Sequence, residues 1–407
     1  MKRHVLERVG LLCAALALVV FVVPGSGQAL ASNASCGATI TANTKLDSDL
    51  TNCPSNGIVI GADKITLDLN GHTVGGDGVP AGSCLDEGIC DLGISNLVGH
   101  ADVTIKGGTV RDFDVGISVG GSENRIQRLS LANNSTFGVI VSESTGGRID
   151  HNSVDDGVSS IVMFGSTDAR IDHNSLAGSE GYAMPIFGSS HNRIEQNVLE
   201  RDQHGILLEE TSNDNEIRGN RISQGGSIEI AHSSDNRVEE NALTNPGDGM
   251  LLAETQHTVV SGNLVTDAGL GFPDNGGFGI TLDGADDSLV QRNVVTGGKG
   301  PAIFVTSLES QGTSDRNVIS DNVANSRFSD GILVNGEATA TLLERNTANE
   351  NGHDGIEVSA AGTTLTRNTA NFNHDVGIEA VLGVIDGGGN RAKGNGNPLQ
   401  CTNVTCS

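Results

Sequence analysis

From Gly57 onward, apolar and polar positions recur in one pattern: Gly-Ile-x-apolar, a polar turn, Asn-x-Ile, then Asn-x-apolar. Clear instances run from Gly205-Ile206 to Asn220-Arg221-Ile222 and from Gly355-Ile356 to Asn368-Thr369-Ala370. The Gly-Ile position falls at 57, 93, 116, 138, 160, 183, 205, 227, 249, 279, 302, 331, 355 and 377, mostly in steps of 22 or 23 residues. Such a fixed step marks an internal repeat. Each repeat holds three short β-branched or aliphatic runs with a period of two, and no run has the i, i+3, i+4 spacing of a helix. Three strands in 22 residues cannot bury an apolar face alone. Stacked on copies of themselves they form a solenoid in which each strand pairs in parallel with its equivalent one coil away. The pattern predicts an all-β, single-stranded parallel β-helix of about 14 coils, one for each Gly-Ile position.

A second column, Asn152, Asn174, Asn197, Asn220, Asn241, Asn263, Asn293, Asn322, Asn346, Asn368 and Asn390, occupies the turn before the third run. Asn tolerates a left-handed corner, and its amide can bond to the next Asn in the stack. This column reads as structural.

Composition narrows the partners. The 407 residues include 56 Gly, no Trp and only 3 % aromatics. That argues against a core anchored on large aromatics and against base-stacking nucleic-acid binding. With 24 basic and 50 acidic residues, a net charge of −26 repels a phosphate backbone. No nucleic-acid partner is expected.

Residues 1–31 read as an export signal: Lys2, Arg3 and Arg8, the apolar run Leu11 to Val23, then Ala29-Leu30-Ala31. The run is too short for a membrane span, and no second long apolar stretch follows, so a secreted protein without a membrane span is expected. Cys13 leaves with the signal. Cys36, Cys53, Cys84, Cys90, Cys401 and Cys406 remain, an even number that in an exported chain predicts disulfides. The local pairs 36–53, 84–90 and 401–406 are favoured. Residues 32–56 and 391–407 are expected to cap a β-helix over 57–390.

The repeat, with Ile65-Thr-Leu-Asp-Leu-Asn-Gly-His-Thr-Val74 near its start, resembles right-handed parallel β-helix proteins of the pectate-lyase-like superfold. Among them it is most similar to the NosD-like group, whose repeats occur in carbohydrate-binding proteins and sugar hydrolases. The resemblance covers about 57–390. It implies a right-handed helix with disulfide-tied end caps and an extracellular polysaccharide as partner, either bound only or processed by a lyase, epimerase or glycosidase. The Asp-Pro-His-Asp run of alginate epimerases is missing, as is the Asn-Thr-Asp, Gly-His-Gly and Arg-Ile-Lys set of polygalacturonases, so no mechanism carries over. A non-catalytic surface or adhesion module is the alternative.

Departures from the period, at 75–92, 267–278 (with Phe272, Asp274 and Phe278) and 307–316, predict loops that border a groove. The outward position after Gly-Ile is unusually apolar: Ser118, Ile140, Val162, Pro185, Leu207, Glu229, Leu251, Thr281, Phe304, Leu333, Glu357 and Glu379. It is either a groove floor or protein-docking surface, or a face that the chain's own loops cover. Phe187, Leu207, Glu229, Leu251, Phe304, Glu357 and Glu379 are the binding candidates. Tyr182, Asp202, His204 and Glu209 fall on adjacent coils and are the candidates for acid–base work on a sugar. Glu357 stacked on Glu379, with His353, Asp354, His374 and Asp375 nearby, would shift a carboxyl pKa or recruit Ca²⁺, the one candidate cofactor. Asp150-His151 and Asp172-His173, 22 residues apart, supply ligand types for a divalent metal.

Overall fold

Parallel pairing in register turns the repeat into structure. The computed structural model describes residues 30–32, 34–79, 91–155, 157–272, 276–307, 312–336 and 338–407. The export signal, apart from Leu30 and Ala31, and the pair Cys84–Cys90 lie outside them. The chain divides into two units, residues up to 184 and residues from 185. Each is a right-handed parallel β-solenoid, with about 14 turns in all and no helix among the described residues.

In the first unit one sheet runs through strands Ala38–Ile40, Ile58–Ile60, Leu92–Asn96, Val115–Ser122, Phe137–Thr145 and Ser159–Phe164. Ile117 lies opposite Val139, and Val139 opposite Ile161. Coil pairing begins ahead of Gly57, since Ala38–Ile40 already pairs with Ile58–Ile60. The second and third runs are separate short strands in the first coils, Thr44–Leu46 with Leu50–Cys53 and Thr66–Asp68 with Thr73–Gly76, and join into one strand at Thr104–Arg111 and at Arg125–Ala132. From Arg148 they separate into two short strands, Arg148–Asp150 and Ser153–Asp155. Cys36 is bonded to Cys53 in the first described coil.

The second unit repeats this with eight strands on one face: His204–Glu209, Ile228–Ala231, Met250–Ala253, Ile280–Asp283, Ile303–Thr306, Ile332–Val334, Ile356–Val358 and Ile378–Ala380. Their inward residues form one column, from Ile206 to Ile378, at most 2 % exposed. Burying each such side chain contributes about 1.5–3 kcal/mol. A second inward column runs Leu199, Ile222, Leu243, Val265, Val295 and then Ala324, Ala348 and Ala370, so side chains shrink towards the last coils. At Gly249 and Gly279 a Cβ would overlap the carbonyl oxygen of the next coil, Gly279 or Ala302. Cys401 and Cys406, bonded to each other, bridge in parallel to Ile378 and Asn390. That lays residues 401–406 over the final coil.

The Asn column is a hydrogen-bonded ladder. In the second unit, Nδ2 donates to Oδ1 of the next Asn from Asn197 through Asn220, Asn241, Asn263, Asn293, Asn322, Asn346 and Asn368 to Asn390, at 3.0–3.3 Å. The same Oδ1 accepts the backbone N–H of the preceding Asn, as at Asn241 to Asn263, 2.9 Å. Each Asn is 0–1 % exposed. The left-handed corner expected at Asn is one residue earlier, at His151, His173, Gln196, Glu240, Arg292, Asp321, Arg345 and Arg367, with φ of 53–57°. Asn is placed for its amide, and its predecessor carries the bend. Two shorter stacks at other corners, Asn192–Asn215–Asn236 and Asn351–Asn373–Asn395, escape the sequence reading.

Asn263→Ala removes the acceptor of two N–H donors on Asn241 and strands them in the interior at about 1–3 kcal/mol each. A lower urea midpoint than wild type is expected. An unchanged midpoint would show that the ladder is not needed.

Candidate functional site

Of the residues expected to do acid–base work, two stand apart. His204 and Glu209 begin and end one strand, about 16 Å apart at the usual rise. Asp202 is buried in the turn before it. Tyr182, half-buried, belongs to the first unit and the other three to the second. Two of them have partners on the next coil. His204 Nδ1 lies 3.8 Å from Glu229 Oε1 on the next coil, and Ser227 donates its hydroxyl to the same oxygen at 2.6 Å. At the other edge, His232 stands between Glu209, 4.0 Å from its Nδ1, and Glu254, 3.3 Å from its Nε2. Three successive coils thus present a strip in which Glu229 lies opposite the buried Leu207 and the part-exposed Leu251, with a part-exposed His–carboxylate group at each edge. Glu229 was read as a binding residue, but Ser227, His232 and Glu254 were missed. Sequence spacing holds their coil register but not which of several corner side chains turns towards its neighbour.

Part of the apolar outward face is covered. Phe187, Leu207 and Phe304 are 5–8 % exposed. Phe278, from the long coil at 267–278, stacks on Phe304 with ring centroids 5.5 Å apart. Of the alternatives for this face, the one in which the chain's own loop covers it describes Phe304. Leu251 and Leu333 stay half-exposed.

The pair Asp150-His151 and Asp172-His173 does come together in the first unit. Its imidazoles stack at 5.0 Å, parallel to within 1°, as left-handed corner residues at equivalent positions must. Each Nδ1 bonds to its own aspartate, at 2.8 and 2.7 Å. The carboxylates already have a cation. Arg148 makes a two-pronged bond to Asp172, 2.9 and 2.8 Å, and lies 3.3 Å from Asp150. Burial is the largest influence on the fully buried Asp172 and raises its carboxyl pKa. The hydrogen bonds from Arg148 and His173 outweigh it and hold the carboxyl below the ordinary range.

The third grouping is at the C-terminal coils. Glu357 lies directly opposite Glu379 in register, as expected from the stacking. Around Glu357 the fold adds Asp330, His353 and Asp354, whose ligand atoms with that of Glu357 all fall within 4.8 Å of one another. His353 Nδ1 is 2.7 Å from Asp330 Oδ1 and 3.6 Å from Asp354 Oδ2. Asp330 Oδ1 accepts the Asp354 N–H, and Asp354 Oδ1 accepts the Val376 N–H. Burial pushes the Asp354 carboxyl up to about 7, against the Val376 bond that lowers it. Burial also raises Glu357, with the charges of Asp330 and Glu379 adding, and the bond to Asp330 raises His353. His374 is exposed, and Asp375 is taken by the Asn397 amide; neither joins the group. Asp330 was missed, although Asp-Gly-Ile recurs at 330–332 and 354–356 and stacks the two aspartates.

Comparison with known proteins gives one family and several solved structures of similar fold. A family model described as the right-handed β-helix region matches residues 92–243 and 205–373. No curated protein sequence matches. A periplasmic alginate epimerase is similar at 12 % identity over 69 % of this chain and 76 % of its own, with a TM-score of 0.42. The A-module of a mannuronan C-5 epimerase from Azotobacter vinelandii is 12 % identical over 92 % and 89 %, with a TM-score of 0.40. A surface adhesin of Streptococcus pneumoniae is 10 % identical over 81 % and 83 %, with a TM-score of 0.47. None of them transfers a residue or a reaction to this chain.

Replacing Arg148 by Met is expected to cost about 2 kcal/mol, less than the ~3–5 kcal/mol for stranding a buried charge, because Arg170 and His173 still face Asp172. The pH dependence has a definite sign. A carboxyl held low in the folded state stabilises above its unfolded pKa of about 3.9, and that stability is lost as pH falls through the folded value. The gap between wild type and Arg148→Met, read from urea midpoints, should therefore close below about pH 4. A gap independent of pH would place the cost in packing instead.

Proposed function

On the premise that the chain belongs to the right-handed β-helix family, we propose that it is a secreted protein that binds an uncharged extracellular polysaccharide along the open strand face of its second unit. The observation that carries this is the strip on three successive coils, with His204–Glu229 at one edge and Glu209–His232–Glu254 at the other. Each coil offers an imidazole or carboxylate beside a small apolar surface, and the set repeats at the coil spacing of about 4.8 Å. A repeating row of donors and acceptors suits a repeating chain of hydroxyls. Scarce aromatics (3 % of the chain) leave recognition to hydrogen bonds, and the charge of −26 disfavours acidic polymers. Disulfides at Cys36–Cys53 and Cys401–Cys406 support an oxidising compartment outside the cytoplasm.

The reading is of binding. His204 and Glu209, at opposite ends of one strand, are too far apart to share a substrate atom.

A panel of neutral and acidic polysaccharides tests it, read for retention and for released product. Retention of a neutral glycan is expected, weakened about tenfold in Glu229→Gln with His232→Ala, the loss of one or two charge-assisted bonds at ~1.5 kcal/mol or more. Retention of no glycan would leave the surface-module alternative. Product release abolished by His204→Ala would overturn binding without catalysis.

A further inference from the structure

We propose that Asp330, His353, Asp354 and Glu357 form a binding site for one divalent first-row cation of the Zn²⁺ or Mn²⁺ type. The site lies on the C-terminal coils of the second unit, away from the glycan-binding strip, and does not depend on that reading.

Two independent observations meet here. The first is geometric: one imidazole nitrogen and three carboxylate oxygens within 4.8 Å of one another. A cation bonded at about 2.0–2.2 Å puts opposite ligands about 4.2 Å apart and neighbouring ones closer, so the set encloses a space of the right size. The second is an orphaned atom. Asp354 is 0 % exposed, and its Oδ2 is buried without a hydrogen-bond partner. It faces into the group, 3.6 Å from His353 Nδ1. Its other oxygen is committed to Val376 N–H. An unmet buried carboxylate oxygen is costly, and a cation satisfies it.

Charge points the same way. Glu379 stands opposite Glu357, which brings the local carboxylates to four with one imidazole. The ion pairs of Asp330 and Asp354 run only to His353. By contrast, the Asp172 carboxylate of the first unit has Arg148. The imidazole decides the class of ion. Ca²⁺ and Mg²⁺ take oxygen ligands, whereas mixed nitrogen and oxygen sets suit Zn²⁺ and its first-row neighbours.

The fold fixes these ligands without a dedicated loop. Asp330 and Asp354 occupy the same position on successive coils, each just before a glycine that starts a strand. Asp330 Oδ1 also holds the Asp354 backbone N–H at 2.9 Å. His353 precedes Asp354, and Glu357 is the outward residue of the strand that follows.

Calorimetric titration of the metal-stripped full-length protein with Zn²⁺ tests the proposal, with Co²⁺ absorption as an independent report on a nitrogen-containing coordination sphere. One ion per chain is expected, with affinity falling at least tenfold in Glu357→Gln and in His353→Gln. His353 is about half exposed (52 %), so that variant keeps the fold even if Asp354→Asn does not. Glu254→Gln, in the other His–carboxylate group, should bind as wild type. Zn²⁺ binding that survives His353→Gln unchanged overturns the site. So does an absence of binding, or displacement by an equal concentration of Ca²⁺, which would make the ligands oxygen only.

Discussion

From Asn197 to Asn368, each buried amide of the long asparagine column is answered by the same amide one coil away. In an ordinary domain a buried Asn finds a particular partner from elsewhere in the sequence. Here Asn220 answers Asn197 and is answered by Asn241, so one interaction, repeated, fixes both vertical spacing and lateral register. The apolar columns depend on it. Without a corner that satisfies its own polar groups, three short strands per coil could not turn back on themselves inside a narrow bore. The glycines that begin the strand runs serve the same end, because they admit the next coil's carbonyl where a side chain would collide.

How much of this the sequence makes legible follows from what repeats. The Gly-Ile step gives the coils, the inward column from Ile206 to Ile378 and the pairing of Glu357 with Glu379, since equal spacing on a rigid stack becomes adjacency. Two things escape it. One is the difference between corner positions: the left-handed residue is His173 or Arg345, and it varies in type because only its backbone is constrained. The other is lateral approach. His204 meets Glu229 and Asp330 joins His353, because side chains lean between coils in a way that no period encodes. Asp150 and Asp172 stack as their spacing implies, yet the meaning of that stack changes once Arg148, two residues before Asp150, reaches both carboxylates.

The acidic excess is distributed unevenly between neutralised and unneutralised places. Surface aspartates such as Asp287 and Asp321 carry two-pronged arginine partners from an adjacent coil, Arg316 and Arg345. Those stacked pairs are part of the exterior of the scaffold, and screening leaves each worth little on its own. Among the described residues, the carboxylates near His353 pair with no such arginine, and those near His232 share an imidazole. Seen this way, the histidines and not the acids mark the chemically open places of the second unit.

The coil that carries Phe278 is 30 residues long from Gly249 to Gly279, yet Asn263 and Asn293 still bond at 3.0 Å across it, as their neighbours do across 22 residues. The added length is absorbed at one corner, and the stack on either side does not register it. Loop and scaffold are therefore separate objects of selection. A corner can lengthen, shorten or exchange its sequence and acquire a new surface, while the ladder inspects only whether its next asparagine has arrived.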